Sequence, residues 1–87
     1  MSIEELKKIR DKISALDLEL LRLLNERASL SLAVGRLKSK SNDTVFKPFR
    51  EKEVLARLLS QNKGPLPDDH LKAIYREILS SSRRLQK

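Results

Sequence analysis

The chain has 87 residues with 19 basic and 12 acidic side chains, a net charge of +7, only three aromatics (Phe46, Phe49, Tyr75) and no cysteine. That length suits one domain near the lower limit for building an adequate core unaided. Disulfides, thiol catalysis and thiolate metal sites are excluded, and a single histidine, His70, argues against a histidine metal cluster or a Ser-His relay. No segment has the length and apolarity of a membrane span, and the N-terminus lacks the apolar core of a signal peptide, so a soluble cytoplasmic domain is expected.

The first expected helix runs from about Ile3 to about Lys38, with Ser2 as its cap and Glu4 and Glu5 in its first turn. Counting in sevens from Leu6 gives Leu6, Ile13, Leu20, Arg27 and Val34; counting from Ile9 gives Ile9, Leu16, Leu23, Leu30 and Leu37. The two series interleave at spacings of three and four, the pattern of one long helix packed along its whole length. Nine of the ten positions are aliphatic and the tenth is Arg27. An unpaired guanidinium in a packed seam is costly, so Arg27 needs an anionic partner there: a nearby Glu or a bound anion. Gly35 inside the helix, at about 1 kcal/mol relative to Ala, points to a close approach by another backbone or a ligand.

Ser39 to Lys47 is polar and reads as a loop. Pro48 suits the first turn of a second helix, through Glu51, Val54, Leu55, Leu58 and Leu59 to a stop near Gly64, about 48–62. Pro67 with Asp68 and Asp69 opens a third, about 67–86, whose apolar face is Leu71, Ile74, Tyr75, Ile78 and Leu85. No strand-period alternation and no internal repeat is present, so the fold class is all-α. The first helix, about 36 residues at about 1.5 Å each, spans roughly 54 Å, more than two short helices can cover. Leu18, Leu21, Ala28 and Leu32 add a second apolar stripe to it. An entwined homodimer answers both observations, whereas a monomer would need a break in the helix near Gly35 or the Ser29–Ser31 stretch.

Each helix also puts polar groups on the face it should bury. Lys38 follows Arg27 by eleven residues, close to three turns and nearly the same direction. Glu51 points toward the Val54, Leu55 and Leu58 side of the second helix, and Ser82 and Gln86 follow Ile78 at intervals of four. Two cations, a carboxylate, a hydroxyl and an amide describe a polar pocket in a helical bundle. Such a pocket, without a nucleophile–base pair or metal ligands, fits a small polyanion bound and stabilised electrostatically.

The runs IRDKISALDLELLRLLNERASLSLAVGRLK (Ile9 to Lys38), PFREKEVL (Pro48 to Leu55) and ILSSSRRLQ (Ile78 to Gln86) resemble the all-helical chorismate mutases, most of all the mutase domain of bifunctional chorismate mutase–prephenate dehydratases. The I-x-x-L-D-x-x-L-L-x-L-L-x-x-R-x-x-L core from Ile13, a downstream Arg-Glu pair and a terminal Ser-x-x-x-Gln carry the resemblance over almost the whole chain. It implies one mutase domain over residues 1–87 and an intertwined homodimer with two equivalent sites. It implies that Arg27 and Lys38 bind the carboxylates of chorismate within one protomer while Arg10 reaches in from the other. Arg50 matches a second-helix arginine of the site, although alone it also reads as a helix-start salt bridge. Glu51 matches the acceptor of the substrate's ring hydroxyl, Ser82 a carboxylate contact, and Gln86 the donor to the ether oxygen.

The implied reaction is the Claisen rearrangement of chorismate to prephenate, in phenylalanine and tyrosine biosynthesis. It needs no cofactor or metal, with Lys38 and Gln86 as the catalytic donors. One departure is Lys47, where family members often carry Asp three residues before the second-helix arginine. Two alternatives stay open at this point. One is an isochorismate-pyruvate lyase of the same fold, against which Glu51 and the match to mutase domains weigh. The other is a basic helical nucleic-acid-binding or adaptor module, suggested by the net charge. The spread of the basic residues around the helices, rather than along one stripe, weighs against nucleic acid.

Overall fold

The computed structural model describes residues 2–41 and 47–87, with side chains from 2–40 and 47–87. It contains three helices, α1 (Ile3–Ser41), α2 (Pro48–Gln61) and α3 (Asp68–Leu85), and no strand among the described residues. The all-α expectation therefore holds. The chain divides into two compact units, residues 1–30 and 31–87.

The first unit is helix alone. The Ser2 hydroxyl accepts a hydrogen bond from the Glu5 backbone N–H at 3.1 Å, closing the N-terminus. Along the outer surface lie ion pairs at helical spacing: Lys7–Asp11 at 2.9 Å, and Arg22 between Glu19 and Glu26. The hydrogen bond from Arg22 holds the Glu19 carboxyl below its usual range. Of the described residues in this unit, only Arg27 and Ala28 are half-buried. Among the described residues the aliphatic seam of this unit is exposed: Ile13 is 52% exposed and Leu16 63%. Helix propensity alone gives a single helix little stability, and most helical stability comes from packing of an apolar face.

The second unit carries the core. From Ser31 onward α1 continues past the expected end at Lys38 to Ser41, since Ser39, Lys40 and Ser41 contain no glycine or proline to stop it. The rest of the expected loop, residues 42–46, lies outside the described residues. At α2 the backbone carbonyl of Lys47 accepts from Glu51 N–H at 3.1 Å, and Pro48 occupies the first turn where its missing N–H is harmless. Val54, Leu55, Leu58 and Leu59 are the half-buried residues that turn α2 toward α3.

The α2–α3 connection is organised by one side chain. Asn62 Nδ2 donates to Leu66 O and to Asp68 Oδ1, both at 2.8 Å, while Asn62 Oδ1 accepts from Gly64 N–H at 3.1 Å. Gly64 adopts φ +72°, the left-handed conformation glycine enters without steric penalty. On α3 the buried face is rotated from the sequence expectation. Leu79 is the buried aliphatic residue, Tyr75 and Ile78 are half-buried beside it, and Ile74 is 48% exposed. Stepping by four from Leu71 through Tyr75 and Leu79 leads to Arg83, so Ile74 falls on the rim.

Candidate active site

The polar face of the second unit forms where the last turns of α1 meet the C-terminal turns of α3. Gly35 makes that approach possible. A Cβ at this position would stand 2.8 Å from both Cα and carbonyl O of Gln86, and 3.0 Å from its carbonyl carbon. The close backbone approach expected from a helical glycine is thus realised, and the neighbour is Gln86. The Gln86 backbone N–H caps α3 by bonding to Ser82 O and Arg83 O, which anchors the main chain while the side chain faces α1.

Four residues form one hydrogen-bonded chain at this junction. The hydroxyls of Ser31 and Ser82, both buried, lie 2.6 Å apart. Gln86 Nε2 donates to Ser82 Oγ at 3.3 Å, and Lys38 Nζ donates to Gln86 Oε1 at 3.4 Å. The ammonium thereby fixes which end of the Gln86 amide points at Lys38 and turns the NH2 toward the serines. A second group lies one residue along α3. Arg83 Nη1 donates to both oxygens of Glu51, at 2.6 and 2.8 Å, joining α2 to α3.

Of the seven residues expected in the site, the structure therefore brings Lys38, Ser82 and Gln86 into direct contact and sets Glu51 against the residue that follows Ser82. Arg50 is exposed and pairs with Glu53 on its own helix at 2.8 Å, the helix-start salt bridge that its sequence position also allowed. Arg10 and Arg27 belong to the first unit. Arg10 is exposed, Arg27 is half-buried, and neither has an ion-pair partner among the described residues. Glu26, the carboxylate next to Arg27, is bonded to Arg22.

Two members of the site were not anticipated. Ser31 sits four residues after Arg27 and four before Gly35, on the face already marked by Arg27 and Lys38; that register was the available signal. Arg83 sits four residues after Leu79, at the edge of the buried face, but reads in sequence as part of a basic surface run with Arg84.

Chemically, the cluster offers an ammonium, an amide, two hydroxyls and a carboxylate held by a guanidinium. The two hydroxyls bond to each other and to the Gln86 amide, while His70 is exposed near the start of α3, so neither serine has an imidazole base beside it among the described residues. No group of His, Asp and Glu side chains among the described residues is arranged to hold a metal ion. No helix among them is long and apolar enough to cross a membrane. Groups of this kind are chemically suited to holding a polar anion and donating to developing negative charge.

Comparison with known proteins places the chain in a family. Residues 9–87 match the family model described as chorismate mutase type II. The chain is 45% identical over 89 aligned residues to the bifunctional chorismate mutase/prephenate dehydratase of Aquifex aeolicus, covering 98% of this chain and 25% of that protein. It thus spans a quarter or less of the length of the curated relatives it matches. Among solved structures, the chorismate mutase of Thermus thermophilus (form II) superposes with a TM-score of 0.92 at 34% identity, covering 94% of this chain and 93% of that one. The chorismate mutase of Helicobacter pylori, solved in complex with prephenate, superposes with a TM-score of 0.87 at 32% identity, covering 95% and 90%. On sequence and fold together, the chain belongs to the type II chorismate mutase family.

Proposed function

We propose that the chain catalyses the rearrangement of chorismate to prephenate, serving phenylalanine and tyrosine biosynthesis in the cytoplasm as an intertwined homodimer. The observation that carries this reading is the hydrogen-bonded group of Lys38, Gln86 and Ser82, three residues to which the sequence resemblance gives roles in the site, in a chain that belongs to that family. The reaction is intramolecular. One C–O bond breaks as one C–C bond forms, with no proton transfer and no covalent intermediate, so a site of donors without a nucleophile–base pair is sufficient.

Arg27, Lys38 and Ser82 take the two carboxylates of the substrate, with Arg10 of the other protomer and Arg50 as further cations of the site. Glu51 accepts the ring hydroxyl. Holding these groups selects the compact conformer in which the reacting carbons face each other, an orientation effect. Lys38 and Gln86 donate to the ether oxygen, where negative charge grows as the C–O bond lengthens; removing one such donor typically lowers kcat by about 10²–10³. Support for Arg27 as an anion ligand is that it is half-buried with no ion-pair partner among the described residues, while the adjacent Glu26 is engaged elsewhere. Support for the dimer is the uncovered aliphatic seam of the first unit. Its heptad spacing suits a second copy of the same helix.

The test is direct. Purified protein is mixed with chorismate, its ultraviolet absorbance is followed, and the product is identified, with isochorismate and duplex DNA as parallel ligands. Prephenate formation is expected. Pyruvate release from isochorismate without chorismate turnover means a lyase, and salt-dependent DNA binding without turnover means a nucleic-acid module.

A further inference from the structure

Glu51 poses a physical problem for a site that admits a dianion. An ionised carboxylate is a good hydroxyl acceptor, but its charge repels the two carboxylates of the substrate. The Arg83–Glu51 pair resolves it. A single guanidinium nitrogen lies 2.6 and 2.8 Å from the two oxygens of Glu51, with the carboxylate side chain 22% exposed and the guanidinium side chain 36%. A carboxylate has about four acceptor positions, and this contact uses one on each oxygen, leaving others for a hydroxyl.

We infer that Arg83 is a positioning residue for Glu51, cancelling its charge toward the anionic substrate and fixing its carboxylate so that the remaining lone pairs meet the ring hydroxyl. This rests on the assignment of Glu51 to that hydroxyl given under the proposed function. The inference distinguishes Arg83 from the cations that meet the substrate directly. Arg83 acts through a carboxylate on another helix, whereas Lys38 bonds to Gln86 in the neighbouring cluster. It also separates Arg83 from Arg84, whose side chain is exposed one position further along α3.

The test is a double-mutant cycle on the full chain, read as KM and kcat for chorismate with thermal melts alongside. Arg83→Ala should raise KM about tenfold with kcat changed less than about threefold, the combined loss of a cation near a dianion in a solvent-open, strongly screened site and of the group that holds the carboxylate. Arg83→Lys, which keeps the charge, should recover most of that loss. In a Glu51→Gln background the Arg83 charge still attracts the dianion but no carboxylate is left to hold, so Arg83→Ala should raise KM clearly less than in wild type, by about threefold. An equal KM penalty in both backgrounds would overturn the inference and make Arg83 a direct substrate ligand. An unchanged KM with a lowered melting temperature would reduce it to a brace between α2 and α3. Should the alanine variant not fold, Arg83→Gln keeps the side-chain length without the charge, and an unchanged KM there overturns the inference equally. Wild-type protein is measured first: absence of chorismate turnover in it condemns the mutase reading, separately from any outcome for Arg83.

Discussion

Substituting Gly35 with alanine tests the link between packing and catalysis through a single methyl group. The new Cβ would meet Gln86 backbone atoms at 2.8–3.0 Å, where ordinary carbon contacts lie at about 3.5–4.0 Å. The obstacle is main chain, not the tip of a flexible side chain, so the end of α3 must move away from α1 by something approaching 1 Å. Overpacking of this kind costs about 1–3 kcal/mol. Replacing a mid-helix glycine returns about 1 kcal/mol of helix propensity. The net destabilisation is then about 0–2 kcal/mol, a fall in Tm of up to about 15 °C for a chain of this size. Catalysis should suffer more, because the displaced residue carries the amide assigned to the ether oxygen, and a 1 Å misplacement can cost about 100-fold. The assay compares kcat for chorismate with thermal melts of the same preparations. A variant with near-wild-type kcat and an unchanged or higher Tm would refute the reasoning, since the junction would then have slack that the close Gly35–Gln86 approach denies.

Three further outcomes follow from the site. Gln86→Glu should be nearly inactive at neutral pH, because an ionised carboxylate cannot donate and repels the developing charge, and activity should return as pH falls toward the ordinary glutamate range of about 4.3; a flat pH profile removes Gln86 from the mechanism. Arg27→Ala should lose turnover far more than stability and can even raise Tm, since it removes a half-buried cation with no ion-pair partner among the described residues; unfolding in step with lost activity would instead mark a structural role. Arg10→Ala and Arg27→Ala homodimers should each be almost inactive. Co-refolded in equal amounts, they should regain roughly a quarter of wild-type activity, because about half the dimers pair randomly into heterodimers with one intact site; no recovery despite verified heterodimers would place Arg10 outside a shared site.

The helices were legible because their signals are local. Ser2, Pro48, Pro67 and the spacing of aliphatic residues mark starts and faces, and the observed bounds fall within three residues of those read from the sequence. Where the reading slipped, the deciding interaction was tertiary. The α1 terminus moved because nothing local stops a helix at Lys38. The α3 face turned because Leu79, not Ile74, meets the neighbouring helices. Gly35 announced a close approach without naming its neighbour, since only the fold brings Gln86 there. Lys38, Glu51, Ser82 and Gln86 stood out as polar groups on apolar faces. Ser31 and Arg83 did not, because a serine and a second arginine in a basic run carry no such contrast, and their meaning lies in partners on other helices.

The bare first unit has a consequence for how this protein exists in solution. If residues 2–30 acquire cover only from a second chain, folding and assembly become one bimolecular event, and stability has no value apart from concentration. Dilution then acts as a denaturant: specific activity falls with protein concentration, melting midpoints shift with it, and a ligand that bridges the two chains protects both from coming apart.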